Sequence, residues 1–136
     1  ETNFMFNEMT DDQSIEIVPV CREGESIPIA VGLRVGGMKP IVMIQNTGLF
    51  ESGDSVRGMA LDIDIPLVMI IGYRGWVRNG TITDSAARFT EPILSAWGIK
   101  HYLIESDADV GTISRAFKES EETNTPVACL MGAEYS

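Results

Sequence analysis

The sequence predicts an open, doubly wound α/β domain with a mainly parallel sheet and helices on both faces. Short apolar runs alternate along the chain with stretches typical of helices, and the apolar runs carry few polar residues. Strands that are apolar throughout and separated by helices indicate a parallel sheet covered on both faces. At 136 residues and 44% hydrophobic content, the chain suits one such core, so residues 1–136 are assigned to a single domain.

The predicted strands are short apolar runs. They lie at residues 15–20 (IEIVPV), 40–47 (PIVMIQNT), 66–74 (PLVMIIGYR), 100–106 (KHYLIES) and 126–132 (PVACLMG). The most apolar run, IPLVMIIG at 65–72, is far shorter than the roughly 18 residues that span a bilayer. It is therefore interpreted as a buried strand.

The predicted helices lie between these strands. The first ends at about residue 13. The others run from about Glu25 to Gly36-Gly37, within residues 48–64 after a turn, over 90–98 and over 107–124. For 90–98 we expect Thr90 as the N-cap, Pro92 in the first turn and Gly98 at the C-cap, since these residue types favour those positions. The last helix is expected to place three apolar residues on one face: Val110, Ile113 and Phe117.

The charge of the chain limits the kinds of partner that it is expected to bind. The net charge of −10 and the pI near 4.4 argue against binding to nucleic acid or to anionic membrane surfaces. An acidic surface also simply keeps a domain soluble. Cys21 and Cys129 have no metal or redox spacing, so they are predicted to be small core residues of a reduced, cytoplasmic protein.

Several kinds of active site are missing from the sequence. His101 is the only histidine and falls in a predicted strand, which argues against Ser-His-Asp hydrolysis. Neither the G-x-x-x-x-G-K-[ST] nor the G-x-G-x-x-G nucleotide-binding pattern occurs. The acids form no ligand-like cluster, so no metal site made from this chain alone is predicted.

Ligands of open α/β sheets bind at the carboxyl ends of the strands. In this sequence those ends carry four polar stretches: residues 21–23, 45–48, 72–75 and 105–107. A binding site is therefore expected where these stretches meet.

Three segments that pass through these stretches carry a family resemblance. REGESIPIAVGL (22–33), KPIVMIQNTGLFESGDS (39–55) and IPLVMIIGYRG (65–75) resemble the pyrimidine-binding domain of thiamine-diphosphate-dependent decarboxylases. The resemblance runs from about residue 15 to the end and is greatest to the alpha subunit of sulfopyruvate decarboxylase and the matching half of phosphonopyruvate decarboxylase. It implies the thiamine-diphosphate-binding fold, thiamine diphosphate as cofactor and a small 2-oxo acid as substrate.

The resemblance implies a catalytic role for Glu23. This residue matches the glutamate that, in the family, hydrogen-bonds N1′ of the cofactor's aminopyrimidine ring. The residues themselves leave another interpretation open, in which Glu23 and Glu25 merely favour a helix N-terminus electrostatically. For Glu25 that second interpretation is kept.

The resemblance also implies contacts at the next two strand ends. The expected cofactor-binding loop comprises Gln45, Asn46, Thr47, Gly48 and Leu49. Arg74 is the candidate substrate contact, because a guanidinium group matches sulfonate or carboxylate geometry; a solvated arginine at a strand end is the alternative. Where relatives usually continue with Gly and Asn, this chain has Phe50, Glu51 and Asp54, an acidic loop that puts an anionic sulfonate or phosphonate in doubt.

The family's diphosphate-binding domain has no counterpart in this sequence. The resemblance implies that this domain lies on another polypeptide or on a missing part of this one. We expect the former, a partner diphosphate-binding beta subunit that holds Mg²⁺, together with self-association of this chain. The resemblance also implies an earlier helix and strand, which we expect to be missing here. Two rivals stay open: a non-catalytic binding or regulatory subunit with the same fold, and a flavodoxin-like nucleotide-binding module.

Overall fold

The computed structural model describes residues 3–132. Its helices are α1 (Asn3–Asp11), α2 (Glu23–Val35), α3 (Asn46–Glu51), the single turn α4 (Gly53–Ser55), α5 (Ser85–Ala96) and α6 (Gly111–Thr123). Its strands are β1 (Ile41–Gln45), β2 (Leu67–Gly72), β3 (Trp76–Val77), β4 (Thr81–Ile82), β5 (Lys100–Ile104) and β6 (Pro126–Met131). A π-helical segment, Val56–Leu61, follows α4, and a 3₁₀ turn, Asp107–Asp109, precedes α6.

The main sheet has four parallel strands in the order β1-β2-β6-β5. Every residue of β2 is buried, as expected for a strand that has neighbours on both sides and helices on both faces. Gly72, at the end of β2, pairs with Gln45 on one side and Met131 on the other. The carboxyl ends of three strands are therefore level, and they form one edge of the sheet.

Helices cover both faces of this sheet, so the predicted fold class is confirmed. Alternate residues of β2 face opposite sides, as in any strand. Leu67, Met69 and Ile71 belong to the core beneath α2, α3 and α5, whereas Val68 and Ile70 belong to the smaller core beneath α6. The first core is larger because three helices, with the π-helical segment, pack on that face.

Most predicted elements are confirmed within a few residues, but the predicted strand at 15–20 is wrong. Residues 15–20 form no strand, and Ile15 and Val18 are exposed. A strand is stabilised by its ladder of hydrogen bonds to a neighbour, and no neighbour pairs with this segment in the part of the chain that the structure describes. Its apolar pattern alone does not make it a strand.

The start of α5 is also different from the prediction. Asp84, not Thr90, is the N-cap, and its carboxylate accepts a hydrogen bond from the backbone N–H of Ala86 at 2.9 Å. Thr90 lies inside the helix and donates to the carbonyl of Ala86 at 2.7 Å. Pro92 is an interior residue of the helix rather than part of its first turn.

Two smaller features depart from the sequence analysis. The hairpin β3–β4 was not predicted, although Asn79 and Gly80 at its tip both have positive φ and Asn-Gly is a strong hairpin signal. Val110 is exposed instead of sharing the buried face of Ile113 and Phe117.

The two cysteines differ in their surroundings. Cys129 is buried, as predicted, and burial raises the pKa of its thiol to about 11. Cys21 is exposed, so the prediction that it is a core residue is wrong. Among residues 3–132, no helix has the length and apolar character needed to cross a bilayer.

The central strand should dominate stability. Ile71 is 0% exposed and Ile63 is 51% exposed, so the same substitution samples two environments. Ile71→Ala should lower the free energy of unfolding by about 2–5 kcal/mol because it leaves a cavity in the first core. Ile63→Ala should change it by about 0.5 kcal/mol or less. Urea denaturation of both variants tests this, and equal losses would contradict the assigned burial.

Candidate functional site

The first turn of α2 packs against α3 at the carboxyl edge of the sheet. Glu23 is the first residue of α2, and its side chain lies directly over Gly48 of α3. A Cβ atom on Gly48 would come within 2.3 Å of Glu23 Cγ and 2.9 Å of Cδ. Glycine at position 48 is therefore required for Glu23 to adopt this position, which joins two residues that the sequence analysis placed in the site.

The two acids of the first turn have different surroundings. Glu23 is half-buried between α2 and α3, whereas Glu25 is exposed. Within residues 3–132, the Glu23 carboxylate has no hydrogen-bond or ion-pair partner, and the backbone carbonyl of Glu23 accepts from Ser26 Oγ at 2.6 Å. Glu23 therefore presents a partly desolvated carboxylate, and Glu25 a solvated one.

Gly24, the next residue, is held by two side chains from across the helix interface. Its N–H donates to Glu51 Oε2 at 2.5 Å, and its carbonyl accepts from Ser55 Oγ at 3.0 Å. Arg22 donates to the other oxygen of Glu51, also at 2.5 Å. Neither Glu51 nor Ser55 was assigned a role from the sequence.

Asn46 is fully buried (0% exposed) and links three elements. Its Nδ2 donates to the backbone carbonyl of Arg74 at 3.0 Å and to Thr90 Oγ1 at 3.1 Å. Its Oδ1 has no partner within the described part of the chain, although buried acceptors are normally satisfied. Asn46 therefore ties α3 to the end of β2 and to α5.

The expected cofactor loop is in fact the beginning of a helix. β1 ends at Gln45, and α3 starts at Asn46 without an intervening loop, because Gln45, still extended, serves as the N-cap. Thr47 is exposed and donates to Gln45 Oε1 at 2.9 Å. Leu49 is fully buried in the first core. Three of the five residues are thus buried, namely Asn46, Gly48 and Leu49, and the other two lie at the edge of the sheet.

Arg74 lies just beyond β2 and pairs with the N-cap of α5. Its Nε is 3.1 Å from Asp84 Oδ2, and its side chain remains 54% exposed. The pKa of Asp84 is lowered chiefly by the hydrogen bond from the Ala86 N–H, and the charge of Arg74 lowers it further. Gly75 has φ +84°, and a Cβ there would come within 2.3 Å of Asp84 Cβ, so the turn fits only glycine.

An aromatic pair, which sequence reasoning missed, occupies the neighbouring strand ends. The ring of Tyr73 stacks on that of Trp76 with centroids 5.0 Å apart, and Trp76 Nε1 donates to Glu105 Oε1 at 2.8 Å. Tyr73 donates to Glu91 at 2.9 Å. Burial, and then Glu91, raise the pKa of Tyr73. The signal in the sequence was an aromatic residue directly after the most apolar strand.

The Glu23 carboxylate suits a ring N–H donor better than a metal ion. The described residues contain no group of three or more His, Cys, Asp and Glu side chains able to hold a metal. Glu23 is half-buried, and its carboxylate has no protein donor among these residues. A protonated N1′ of an aminopyrimidine offers an N–H to such an acceptor, so Glu23 fits that part of thiamine diphosphate.

Gly48→Ala tests the contact between the two helices. The added methyl group overlaps Glu23 Cγ, so the Glu23 side chain should move, and stability should fall by about 1–3 kcal/mol, as in an overpacked site. Gly111→Ala is the control, because it lies in α6 with nothing within 4 Å of the new Cβ and should be neutral or stabilising by up to about 1 kcal/mol. Urea denaturation and the NMR shifts of Glu23 give the readouts. A Gly48→Ala protein with unchanged Glu23 shifts would contradict the contact.

Comparisons with known proteins identify relatives of this chain. No family model matches it. It is 36% identical over 133 residues to the sulfopyruvate decarboxylase subunit alpha of Methanothermobacter thermautotrophicus, a match that covers 94% of this chain and 79% of the relative.

Two further relatives carry the same name. The subunit alpha of Methanococcus maripaludis is 29% identical over 133 residues, which covers 96% of this chain and 80% of the relative. That of Methanocaldococcus jannaschii is 26% identical over 127 residues, with 92% and 75% covered. The resemblance seen in the sequence is therefore confirmed, and the chain belongs to the family of sulfopyruvate decarboxylase alpha subunits.

Proposed function

We propose that this chain is the pyrimidine-binding subunit of a two-component, thiamine-diphosphate-dependent decarboxylase of a small 2-oxo acid, with sulfopyruvate as the first candidate substrate. The relatives' names support the substrate and the decarboxylation. The observation that carries the proposal is the position of Glu23, half-buried over Gly48 at the carboxyl edge of the sheet. Its carboxylate accepts no hydrogen bond from the described residues.

The chain's own residues have distinct roles in this proposal. Glu23 hydrogen-bonds N1′ of the aminopyrimidine and moves a proton to and from that atom. Asn46 fixes the start of α3 beside this edge by donating to the Arg74 carbonyl and to Thr90 Oγ1. Thiamine diphosphate, when bound, supplies the electron sink for the pair released as CO₂ leaves. Gly48 leaves room for Glu23 to approach the ring.

The rest of the cofactor needs a partner. In the described residues there is no acidic cluster for a metal ion, and a diphosphate is held in proteins largely through such a metal and through backbone N–H groups. The relatives are named as alpha subunits, which supports a second, diphosphate-binding subunit. We assign the diphosphate and Mg²⁺ to that beta subunit.

Arg74 remains the candidate contact for the anionic end of the substrate. Asp84 holds its Nε, while about half of the side chain is open to solvent. The acids that put an anionic substrate in doubt are engaged elsewhere: Glu51 pairs with Arg22, and Asp54 pairs with Arg57. The acidic loop therefore does not argue against a sulfonate.

Self-association is proposed through the outer face of α2. Ile29 and Val35 are exposed apolar residues on this helix, and Gly32 has open space where a Cβ would lie. A small residue beside apolar ones permits close approach of another helix and burial of the exposed apolar area. A second copy of this chain is the proposed occupant.

Glu23→Gln should abolish most activity of the assembled enzyme. Glutamine keeps the size of the side chain but cannot exchange a proton at N1′, and loss of a positioned acid–base group costs about 10²–10⁴ in rate. CO₂ release from sulfopyruvate, with partner, cofactor and Mg²⁺ present, is the measurement. Glu25→Gln removes the same charge from the same turn and should leave the rate within about threefold of wild type.

The contrary outcomes separate the rival functions. If Glu23→Gln releases CO₂ at the wild-type rate, Glu23 is not a catalytic residue. No CO₂ release by the wild-type complex from any of a panel of 2-oxo acids would favour a non-catalytic subunit of the same fold.

The isolated chain should bind thiamine diphosphate weakly. It lacks the proposed metal and diphosphate contacts, so we expect a dissociation constant above about 100 µM by calorimetry, equivalent to less than about 5.5 kcal/mol of binding free energy. Addition of the partner and Mg²⁺ should tighten binding by at least about 10²-fold. Submicromolar affinity without the partner would contradict the division of the site between two chains.

A further inference from the structure

We propose that Glu51 and Ser55 form a two-point clamp on the Gly24 peptide that positions Glu23, making Glu51 a positioning residue for the reaction. The clamp is defined by four residues: Gly24, Pro28, Glu51 and Ser55. The inference rests on the proposed role of Glu23, but the clamp itself can be tested without any cofactor.

Pro28 creates the need for one half of the clamp. In an α-helix the carbonyl of residue 24 accepts from the N–H of residue 28, and proline has no N–H. Pro28 lies inside α2, so the Gly24 carbonyl has lost its helical donor. Ser55 Oγ takes the donor's place at 3.0 Å, reaching across from α4.

The helix N-terminus creates the need for the other half. The first N–H groups of a helix have no partner within it, and the N-cap of α2, Arg22, makes no side-chain cap. Glu51 Oε2 accepts from the Gly24 N–H at 2.5 Å, and its negative charge is favourable at this end of the helix dipole. Arg22 binds the other carboxylate oxygen and so orients the group.

Gly24 is shaped for this contact. A Cβ on residue 24 would come within 2.9 Å of Glu51 Oε2 and 3.2 Å of Oε1, so a larger residue would push the carboxylate away. The N–H and the C=O of Gly24 are thus both bound by side chains. These belong to Glu51 and Ser55, which lie four positions apart in the α3–α4 segment. Loss of either bond leaves a backbone group unsatisfied.

The clamp acts on Glu23 because the two residues are adjacent. α3 supports Glu23 in two ways: Gly48 lies beneath its side chain, and Glu51 holds the next residue's N–H. If the first turn of α2 frays, the carboxylate moves relative to α3. A displacement of about 1 Å in a reacting group can cost about 10²-fold in rate.

The first experiment uses the isolated chain and needs no activity. Amide hydrogen exchange and the ¹H shift of Gly24 are measured by NMR in wild type, Glu51→Ala, Ser55→Ala and Asp54→Ala. Exchange at Gly24 should accelerate by about fivefold or more in Glu51→Ala, the effect of losing one hydrogen bond. Ser55→Ala should shift the amides of the same turn. Asp54 is the matched control, since it is a neighbouring acid with an arginine partner and a side chain 90% exposed.

The second experiment uses the assembled enzyme. Glu51→Ala should lower kcat between about 10-fold and 10²-fold and leave KM for the 2-oxo acid within about threefold, because no substrate contact is removed. Glu51→Gln should recover part of kcat, since its amide oxygen still accepts from Gly24, and Asp54→Ala should match wild type. If Glu51→Ala fails to fold, Glu51→Gln and Ser55→Ala carry the comparison, each with a smaller loss in kcat.

The outcomes of the two experiments test the clamp separately from the proposed catalytic role of Glu23. Unchanged Gly24 exchange in Glu51→Ala overturns the clamp, whatever the activity. Faster exchange with wild-type kcat, while Glu23→Gln is inactive, overturns the positioning role and leaves the function intact. Wild-type kcat in Glu23→Gln overturns the proposed function and the positioning role together.

Discussion

The first turn of α2 lies so close to α3 that position 48 must be glycine for Glu23 to keep its place. Gly48 leaves space for the side chain of Glu23, and Gly24 lies against the carboxylate of Glu51. This close approach brings Ile27 of α2 and Leu49 of α3 into the same core, where both are fully buried. The helix interface thus serves the core on its inner side and the candidate site at its end, and a larger side chain at position 48 would disturb both.

The sequence was informative where one local property decides the structure. The apolar run of β2 needs burial on both faces, and only the middle of a covered sheet provides it. Gly36-Gly37 marks the end of α2 because Gly37 adopts φ +90°, which glycine tolerates without strain. The sequence was uninformative where the structure depends on a distant partner: the apolar run at 15–20 has the pattern of a strand, but a strand also needs a neighbour. Proline misled the prediction of α5, since proline is favoured in a first turn but Pro92 lies inside the helix.

The residues of the candidate site also divide into those that the sequence could predict and those that it could not. Glu23, Gly48 and Arg74 could be proposed from the family resemblance, and the structure brings Glu23 and Gly48 into contact while Asn46 connects α3 to the backbone of Arg74. Glu51 and Ser55 were missed because their roles depend on backbone groups of another helix, which no local spacing encodes. One local signal did exist. A proline inside a predicted helix leaves the carbonyl four residues earlier without its donor, so Pro28 indicates that the Gly24 carbonyl needs a donor from elsewhere in the chain.

The net charge of the chain is a poor guide to the electrostatics of this edge of the sheet. The chain carries −10 overall, yet three acids near this edge are paired with arginine: Glu51 with Arg22, Asp84 with Arg74, and Asp54 with Arg57. Each of these pairs has no net charge. Charges farther away than about 8–10 Å are screened at physiological ionic strength. An anion that approaches Arg74 therefore does not meet the full negative charge of the chain, and an acidic chain is compatible with an anionic 2-oxo acid.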